Sequence, residues 1–433
     1  MKPTTARIEN AFQPAKEISD ADRFAGRKSN VSDAHLALIS AGAHIAIVGN
    51  RGIGKTSLAR QIAAISIGNN ELLRRLKIEC ESKMDFMTVY HACGDSISST
   101  GDLLEAILTV SALSDWLYDI PKASKIIRSY QPKFGVHAGV VDLSLGGKKE
   151  TEDSFEKAHV QRSVEAVFTK AVSAVIDQGV ATDGLLIIID EFDQISDPSG
   201  FAGFLKAIST NVPKVKFCIV GVASDIQQLM KEHKSADRLF AGAVIPVAPM
   251  TPDELVEIIR IAERSIDSYI TFDLTATERL VSLAQGHPYM VHLIGKHALR
   301  LAFAENRRHI VGGDIDATLR SIAERGIDPL LEGQYKKEVG SSEHREIVLK
   351  ALADCQAEDG EVWTGNAYKL ALDQGVDNAS QYVGQLVTEE YGGELEKLRD
   401  RYYRFHDSLF AAYVRARPKL IEKSFDSRQL SAL

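Results

Sequence analysis

The chain has 433 residues, 45% apolar and 25% charged, with a formal net charge of −8. That composition fits a soluble globular protein of two to four domains, and an acidic chain has no global attraction for nucleic-acid backbones. No stretch approaches the ~18 consecutive apolar residues of a membrane span, and the polar start Met1-Lys2-Pro3-Thr4-Thr5 lacks the apolar core of a secretory signal. The scattered Cys80, Cys93, Cys218 and Cys355 fit no zinc spacing and read as reduced thiols of a cytoplasmic protein.

Residues 1–35 are polar and include Phe24-Ala25-Gly26-Arg27 ahead of a helical stretch. Apolar runs then alternate with helical patterns, which predicts an α/β fold with a parallel sheet. The candidate strands are Ile45–Val48, Phe86–Ala92, Leu185–Ile189, Phe217–Gly221 and Val244–Val247. Leu185–Ile189 contains no polar residue, as expected of a strand covered by helices on both faces. Residues 100–182 form a long passage between the second and third strands. Its segment 133–145 alternates in its later half like a half-exposed strand. Surplus length of this kind is a place for specificity.

From about 251 the strand patterns stop. Thr251-Pro252-Asp253-Glu254 combines a capping hydroxyl, an early proline and two first-turn acids, which predicts a helix start. Helical periodicity continues to about 325, punctuated by Gly286-His287-Pro288 and Val311-Gly312-Gly313. The last region, from about 341, reads as helices over 343–355, 364–373 and 378–388. Short strands near Glu394–Leu398 and Tyr402–Phe405 and a final helix from Asp407 follow. Three helices with a β-hairpin predict a winged helix.

Gly49-Asn50-Arg51-Gly52-Ile53-Gly54-Lys55-Thr56 fits G-x-x-x-x-G-K-[ST], after an apolar strand and before a helix over Ser57–Ala64. Glycines let the backbone curl so that several N–H groups converge, and the helix N-terminus adds positive partial charge. Gly49 through Ser57 are therefore expected to bind the phosphates of ATP. Lys55 would reach the β- and γ-phosphates, and Thr56 would offer its hydroxyl to Mg²⁺. Asp190 and Glu191 follow a buried strand at its carboxyl end, where ligands bind in parallel sheets. Asp190 is the candidate Mg²⁺ holder and Glu191 the candidate general base, with Asp193 read as solvated or structural. Ser224, just past the next strand, is a candidate for touching the γ-phosphate or orienting water. A local turn bond is its other reading. Arg238 could reach a neighbouring subunit's γ-phosphate or form a surface ion pair.

These features, in this order, resemble the AAA+ superfamily over about residues 20–415. Within it they resemble the origin-recognition-like initiators and the STAND signalling ATPases. Gly49–Thr56 resembles Walker A and Leu185–Glu191 resembles Walker B. Ser224 falls at the sensor-1 position, and Arg238 falls roughly at that of the arginine finger. Phe24-Ala25-Gly26-Arg27 resembles the segment that cradles adenine, which assigns Arg27 to the nucleotide. The resemblance implies an AAA+-like P-loop domain over 1–250 with a five-stranded parallel sheet, a helical lid over 251–335 and a winged helix over 340–433. Initiators carry an arginine after the lid proline. Here Tyr289 follows Pro288, and Gly286-His287-Pro288 resembles the Gly-x-Pro motif of STAND proteins, which senses nucleotide through packing and a backbone or imidazole contact. The departure implies slow hydrolysis and a switch rather than a motor.

Residues 378–387 contain no lysine or arginine, and acids outnumber bases from 341 onward. A DNA-binding domain is usually net basic. Lys397, Arg399, Arg401 and Arg404 cluster near the hairpin and could grip phosphates. The expected function is an ATP-hydrolysing switch, exchanging ATP for ADP and acting through a protein partner or self-assembly. The alternative is a DNA-binding ATPase of the initiator or transposition-helper kind.

Overall fold

A computed structural model describes residues 2–109, 112–128, 163–222, 236–357 and 360–419. The chain forms two compact units. One comprises residues 32–48 and 62–245, the other residues 1–31, 49–61 and 246–433.

The first unit is built on a five-stranded sheet in the order β2-β3-β4-β1-β5. The strands are β1 (Ile45–Val48), β2 (Phe86–Ala92), β3 (Gly184–Asp190), β4 (Val215–Gly221) and β5 (Val244–Pro246). β2–β3, β3–β4 and β4–β1 pair in parallel. Every residue of β1, β3 and β4 is buried, which explains why their sequences are nearly continuous apolar runs rather than alternating ones. Helices Thr100–Thr109, Val164–Ile176 and Phe201–Asn211 carry Leu103, Leu104, Phe168, Val172, Phe201 and Leu205 into the same core. Edge-to-face rings of Phe168, Phe204 and Phe217 lock the layers. Ile47 stands opposite Val220, and Ile189 opposite Ile219. That register brings the carboxyl ends of β1, β3 and β4 to one edge, where Val48, Asp190 and Gly221 end their strands.

In the second unit, Pro252–Ser265 starts where the sequence predicts, and Thr251 and Glu254 form a reciprocal capping box there. Helices Leu274–Ala284, Pro288–Ala304, Gly312–Arg325 and Pro329–Val339 follow. The expectation that strands stop at 251 is corrected. β6 (Thr271–Phe272) pairs in parallel with β7 (His309–Ile310), and β8 (Glu361–Trp363) adds a strand further on. Strands of two or three residues are too short to show alternation. The C-terminal region runs through helix Glu343–Asp354, β8, helices Thr364–Leu372 and Ala379–Leu386, β9 (Leu395–Arg399), β10 (Tyr402–Phe405) and helix Ser408–Ala416. Its sheet has the order β8-β10-β9 and is antiparallel.

Buried polar pairs tie this unit together. The Glu332 carboxylate, 3% exposed, accepts from Arg417 Nε at 2.9 Å and Nη2 at 2.8 Å, and from the Tyr413 hydroxyl at 2.7 Å. Near the N-terminus, the Phe12 ring fills the space where a side chain at Gly295 would sit, 2.7 Å from a Cβ there. Glu9 and Arg300 make a two-bond pair beside it. Among the described residues, no helix is long and apolar enough to cross a membrane. Segment 133–145 and Ser224 lie outside the described residues.

Candidate nucleotide-binding site

The glycine-rich loop leaves β1 at Val48 and opens helix Lys55–Ser66, two residues earlier than the pattern predicts. Gly52 has φ +69° and Gly54 has φ +99°, a left-handed backbone that side chains oppose. Gly49 is required for a different reason: a Cβ there would meet the Val247 carbonyl oxygen at 2.7 Å. Ile53 is buried, 1% exposed, and anchors the tip. Lys55 folds back along its own loop, donating from Nζ to the Asn50 carbonyl at 3.0 Å. The left-handed glycines bend the loop ahead of a helix N-terminus, the setting in which backbone amides bind a polyphosphate. Thr56 is half-buried in the first turn. Ser57 uses its hydroxyl otherwise: Oγ accepts from the Ile18 amide at 3.0 Å, while Gln61 Nε2 donates to the Ile18 carbonyl at 3.0 Å.

Arg27 braces the loop. It is 7% exposed, and its guanidinium donates to the carbonyls of Ile53, at 2.9 Å, and Ala248. Its backbone is left-handed, with φ +59°, and its amide donates to Glu254 Oε1 at 2.6 Å. The Gly26 amide donates to Glu257 Oε2 at 2.8 Å. Burial pulls the Arg27 pKa down, and the nearby Glu254 carboxylate opposes that. The capping glutamate of helix Pro252–Ser265 thus also fixes the Arg27 segment. Sequence reasoning read Glu254 as a first-turn acid and had no signal for this bond.

The lid turn packs against the same loop. Gly286 (φ +80°) lies against Pro249, 2.5 Å from where its Cβ would be. Pro288 Cγ is 3.9 Å from a Cβ at Gly54. His287 is 3% exposed with Nδ1 unpartnered, and burial, with the nearby Arg27 charge, pushes its pKa down to about 4. The imidazole is therefore neutral at pH 7. The tyrosine that follows Pro288 donates its hydroxyl to Asp328 Oδ2 at 2.5 Å.

One neighbour had no sequence signal. Leu409, in the first turn of helix Ser408–Ala416, brings Cδ2 to 2.9 Å from a Cβ at Gly52. Leu409 is 6% exposed, so a residue some 350 positions away along the chain seals the tip of the phosphate loop.

In the sheet unit, Asp190 ends β3 and is 3% exposed. Its Oδ2 accepts from the Tyr90 hydroxyl at 2.5 Å and its Oδ1 from the Glu191 amide at 2.9 Å. Tyr90 sits on the neighbouring strand β2, and sequence reasoning did not find it. Glu191 is exposed and left-handed, with φ +56°. Backbone strain of this kind in a non-glycine residue concentrates at functional sites. Asp193 lies beside Gly221, with Oδ1 3.4 Å from a Cβ there. The buried Cys93 thiol is pushed up to about 12 by burial, and then by Asp190, Glu191 and Asp193, which keeps it protonated beside these acids. Arg238 is exposed in the short helix Ala236–Phe240 ahead of β5.

A phosphate loop between a buried strand and a helix, and an acid ending a central parallel strand at the same sheet edge as Val48, are the parts of a P-loop NTPase. The chain belongs to the novel STAND NTPase 1 family, whose model matches residues 11–320. No curated protein matches it. Among solved structures it is similar to a Walker-type ATPase of Pyrococcus abyssi, at 16% identity and a TM-score of 0.52, over 93% of this chain and 99% of that one. It is also similar to Cdc6p from Pyrobaculum aerophilum, at 13% identity and a TM-score of 0.43, over 96% and 98% of the two chains. The Aeropyrum pernix ORC2 protein matches at 13% identity and a TM-score of 0.45, over 93% and 94%. The first of these is a likeness of fold.

Proposed function

We propose that this protein is an ATP-binding switch with a slow hydrolytic reset, in which the nucleotide on the phosphate loop sets the position of the C-terminal region. The observation that carries this reading is Leu409 against Gly52. A loop that rearranges around a γ-phosphate cannot do so without displacing the side chain packed on its tip. Differential contact with two nucleotide states is what a switch requires.

In this reading the residues from Gly49 to Ser57 bind phosphate, chiefly through backbone amides, with Lys55 turning from Asn50 to the β- and γ-phosphates. Pro288 closes on the nucleotide from the lid, and Arg27 holds the loop in shape from behind. Thr56 and Asp190 would hold Mg²⁺, which supplies charge neutralisation on the phosphates when bound. The Tyr90 hydroxyl orients the Asp190 carboxylate by occupying one oxygen. Glu191 takes the proton of the attacking water, and its exposed carboxylate suits that task. Ser224 and Arg238 are proposed as the residue facing the γ-phosphate and the finger supplied to a neighbouring subunit. Residues 1–250 form the ATPase domain, 251–335 the lid and 340–433 a winged helix.

The output is read as a protein partner or self-assembly rather than DNA. Arg399 is paired to Glu361 through two bonds, at 3.0 and 2.6 Å, and lies over the Tyr402 ring. Arg404 Nη2 is 3.9 Å from the same carboxylate. Basic groups near the hairpin are thus already partly neutralised, and helix Ala379–Leu386 offers none. Phosphate release and limited proteolysis of the wild type and Glu191→Gln test the reading. Glu191→Gln should retain ATP, release phosphate at least tenfold more slowly, and give the ATP-state cleavage pattern. Equal release rates would reject Glu191 as the base. One cleavage pattern under all nucleotide conditions would reject the switch.

A further inference from the structure

We propose that Tyr289 is a positioning residue that couples the phosphate loop to the C-terminal helix through Asp328 and Glu332. The proposal deepens the switch reading and takes its purpose from it.

Tyr289 follows Pro288, whose ring lies beside Gly54. Its hydroxyl donates to Asp328 Oδ2 at 2.5 Å. Asp328 is the N-cap of helix Pro329–Val339, and its Oδ1 accepts from the Leu331 amide at 3.1 Å. One carboxylate therefore fixes the lid tyrosine and the start of the next helix together. One turn along that helix, Glu332 is bound by Tyr413 and Arg417, on and just beyond helix Ser408–Ala416. The same helix carries Leu409, which returns to Gly52. Burial, then the Asp328 hydrogen bond and charge, raise the Tyr289 hydroxyl's pKa, and Arg51 opposes them.

These contacts form a closed circuit, from loop to lid tyrosine, to helix cap, to buried ion pair, to C-terminal helix and back to the loop. A closed run of packed and hydrogen-bonded contacts transmits a displacement because its members shift together. Tyrosine suits the position because it is neutral beside Arg51 and donates to an anion. Hydrogen bonds to charged groups are the stronger kind.

Binding of a fluorescent ADP analogue to the full chain tests the circuit in a double-mutant cycle. Tyr289→Phe keeps the ring and removes the donor. Asp328→Asn keeps a good N-cap and weakens the acceptor. Leu409→Ala breaks the far side of the circuit. Tyr289→Phe should weaken ADP binding roughly tenfold, and Asp328→Asn should do the same. The Tyr289→Phe/Leu409→Ala double variant should be no weaker than the worse single variant, because either change opens the circuit. A residue that only supports the fold would give additive losses. Additive losses, or wild-type ADP affinity in Tyr289→Phe, would overturn the proposal. The cycle reads ADP binding alone, so its failure is distinct from failure of the switch. The switch fails if the wild type responds identically to ADP and to an ATP analogue.

Discussion

Leu409→Ala puts the seal on the phosphate loop to a quantitative test. Leu409 is 6% exposed, and one face of its side chain rests on Gly52. Burying a leucine contributes about 1.5–3 kcal/mol, and truncation adds a cavity term, so the total loss should reach about 2–4 kcal/mol. Part of that packing lies within the C-terminal region itself. About 1–2 kcal/mol is left to the contact with the loop, a factor of roughly 5–30 in the docked population. The assay is stopped-flow release of a fluorescent ADP analogue, with far-UV circular dichroism to verify the fold. Release should accelerate roughly 5–30-fold, and protease should reach residues 408–416 more readily. Wild-type release from a variant with unchanged proteolysis would refute the claim that this side chain seals the loop.

Arg27→Ala leaves the Ile53 and Ala248 carbonyls without their buried cation. It should cost about 2–4 kcal/mol in urea unfolding and weaken ADP binding, with Arg27→Lys recovering only part. Unchanged unfolding would reject the bracing role. Tyr90→Phe frees one oxygen of Asp190 and should raise the Mg²⁺ concentration for half-maximal phosphate release roughly 3–10-fold, by analogy with the loss of an orienting partner at a metal ligand. An identical Mg²⁺ titration would contradict it. Glu338 is fully buried, with the Gln334 amide and the Glu394 backbone amide on one oxygen and none on the other. Burial, with the nearby Glu394 charge, pushes its pKa up from the usual carboxyl range to about 8. A raised carboxyl pKa means that the folded state holds the proton. Its stabilisation is complete below the unfolded pKa and is lost as pH rises toward 8, by up to about 1.4 kcal/mol per pH unit. Glu338→Gln should flatten that slope in urea unfolding between pH 6 and 8.5, and an unchanged slope would remove Glu338 as the source.

The elements that the sequence revealed are those whose physics is local. β1 and β2 have the predicted bounds, because short segments rich in apolar and β-branched residues between polar stretches can be read directly. The helix start at Thr251 was legible because a capping hydroxyl, a proline and first-turn acids are local signals. β6, β7 and β8 were not, since two or three residues cannot display a period. Helix Pro329–Val339 was missed because its buried face mixes Leu331, Tyr335 and Val339 with the acids Glu332 and Glu338, which blurs the apolar period. In the site, the loop glycines declare themselves, because few other residues tolerate those backbone angles. The partners of the chemistry do not. Tyr90 reaches Asp190 across 100 positions, and Leu409 reaches Gly52 across more than three times that. Arg27 could be identified by its motif, yet the destination of its guanidinium, two backbone carbonyls, is a property of the folded loop alone.

The most direct test of the central claim is amide hydrogen exchange of residues 408–416 in the full-length protein, with ADP and with a non-hydrolysable ATP analogue. The account predicts slow exchange with ADP and exchange at least several-fold faster with the ATP analogue, with residues 49–56 protected in both. Equal protection of residues 408–416 in the two nucleotide states would contradict it.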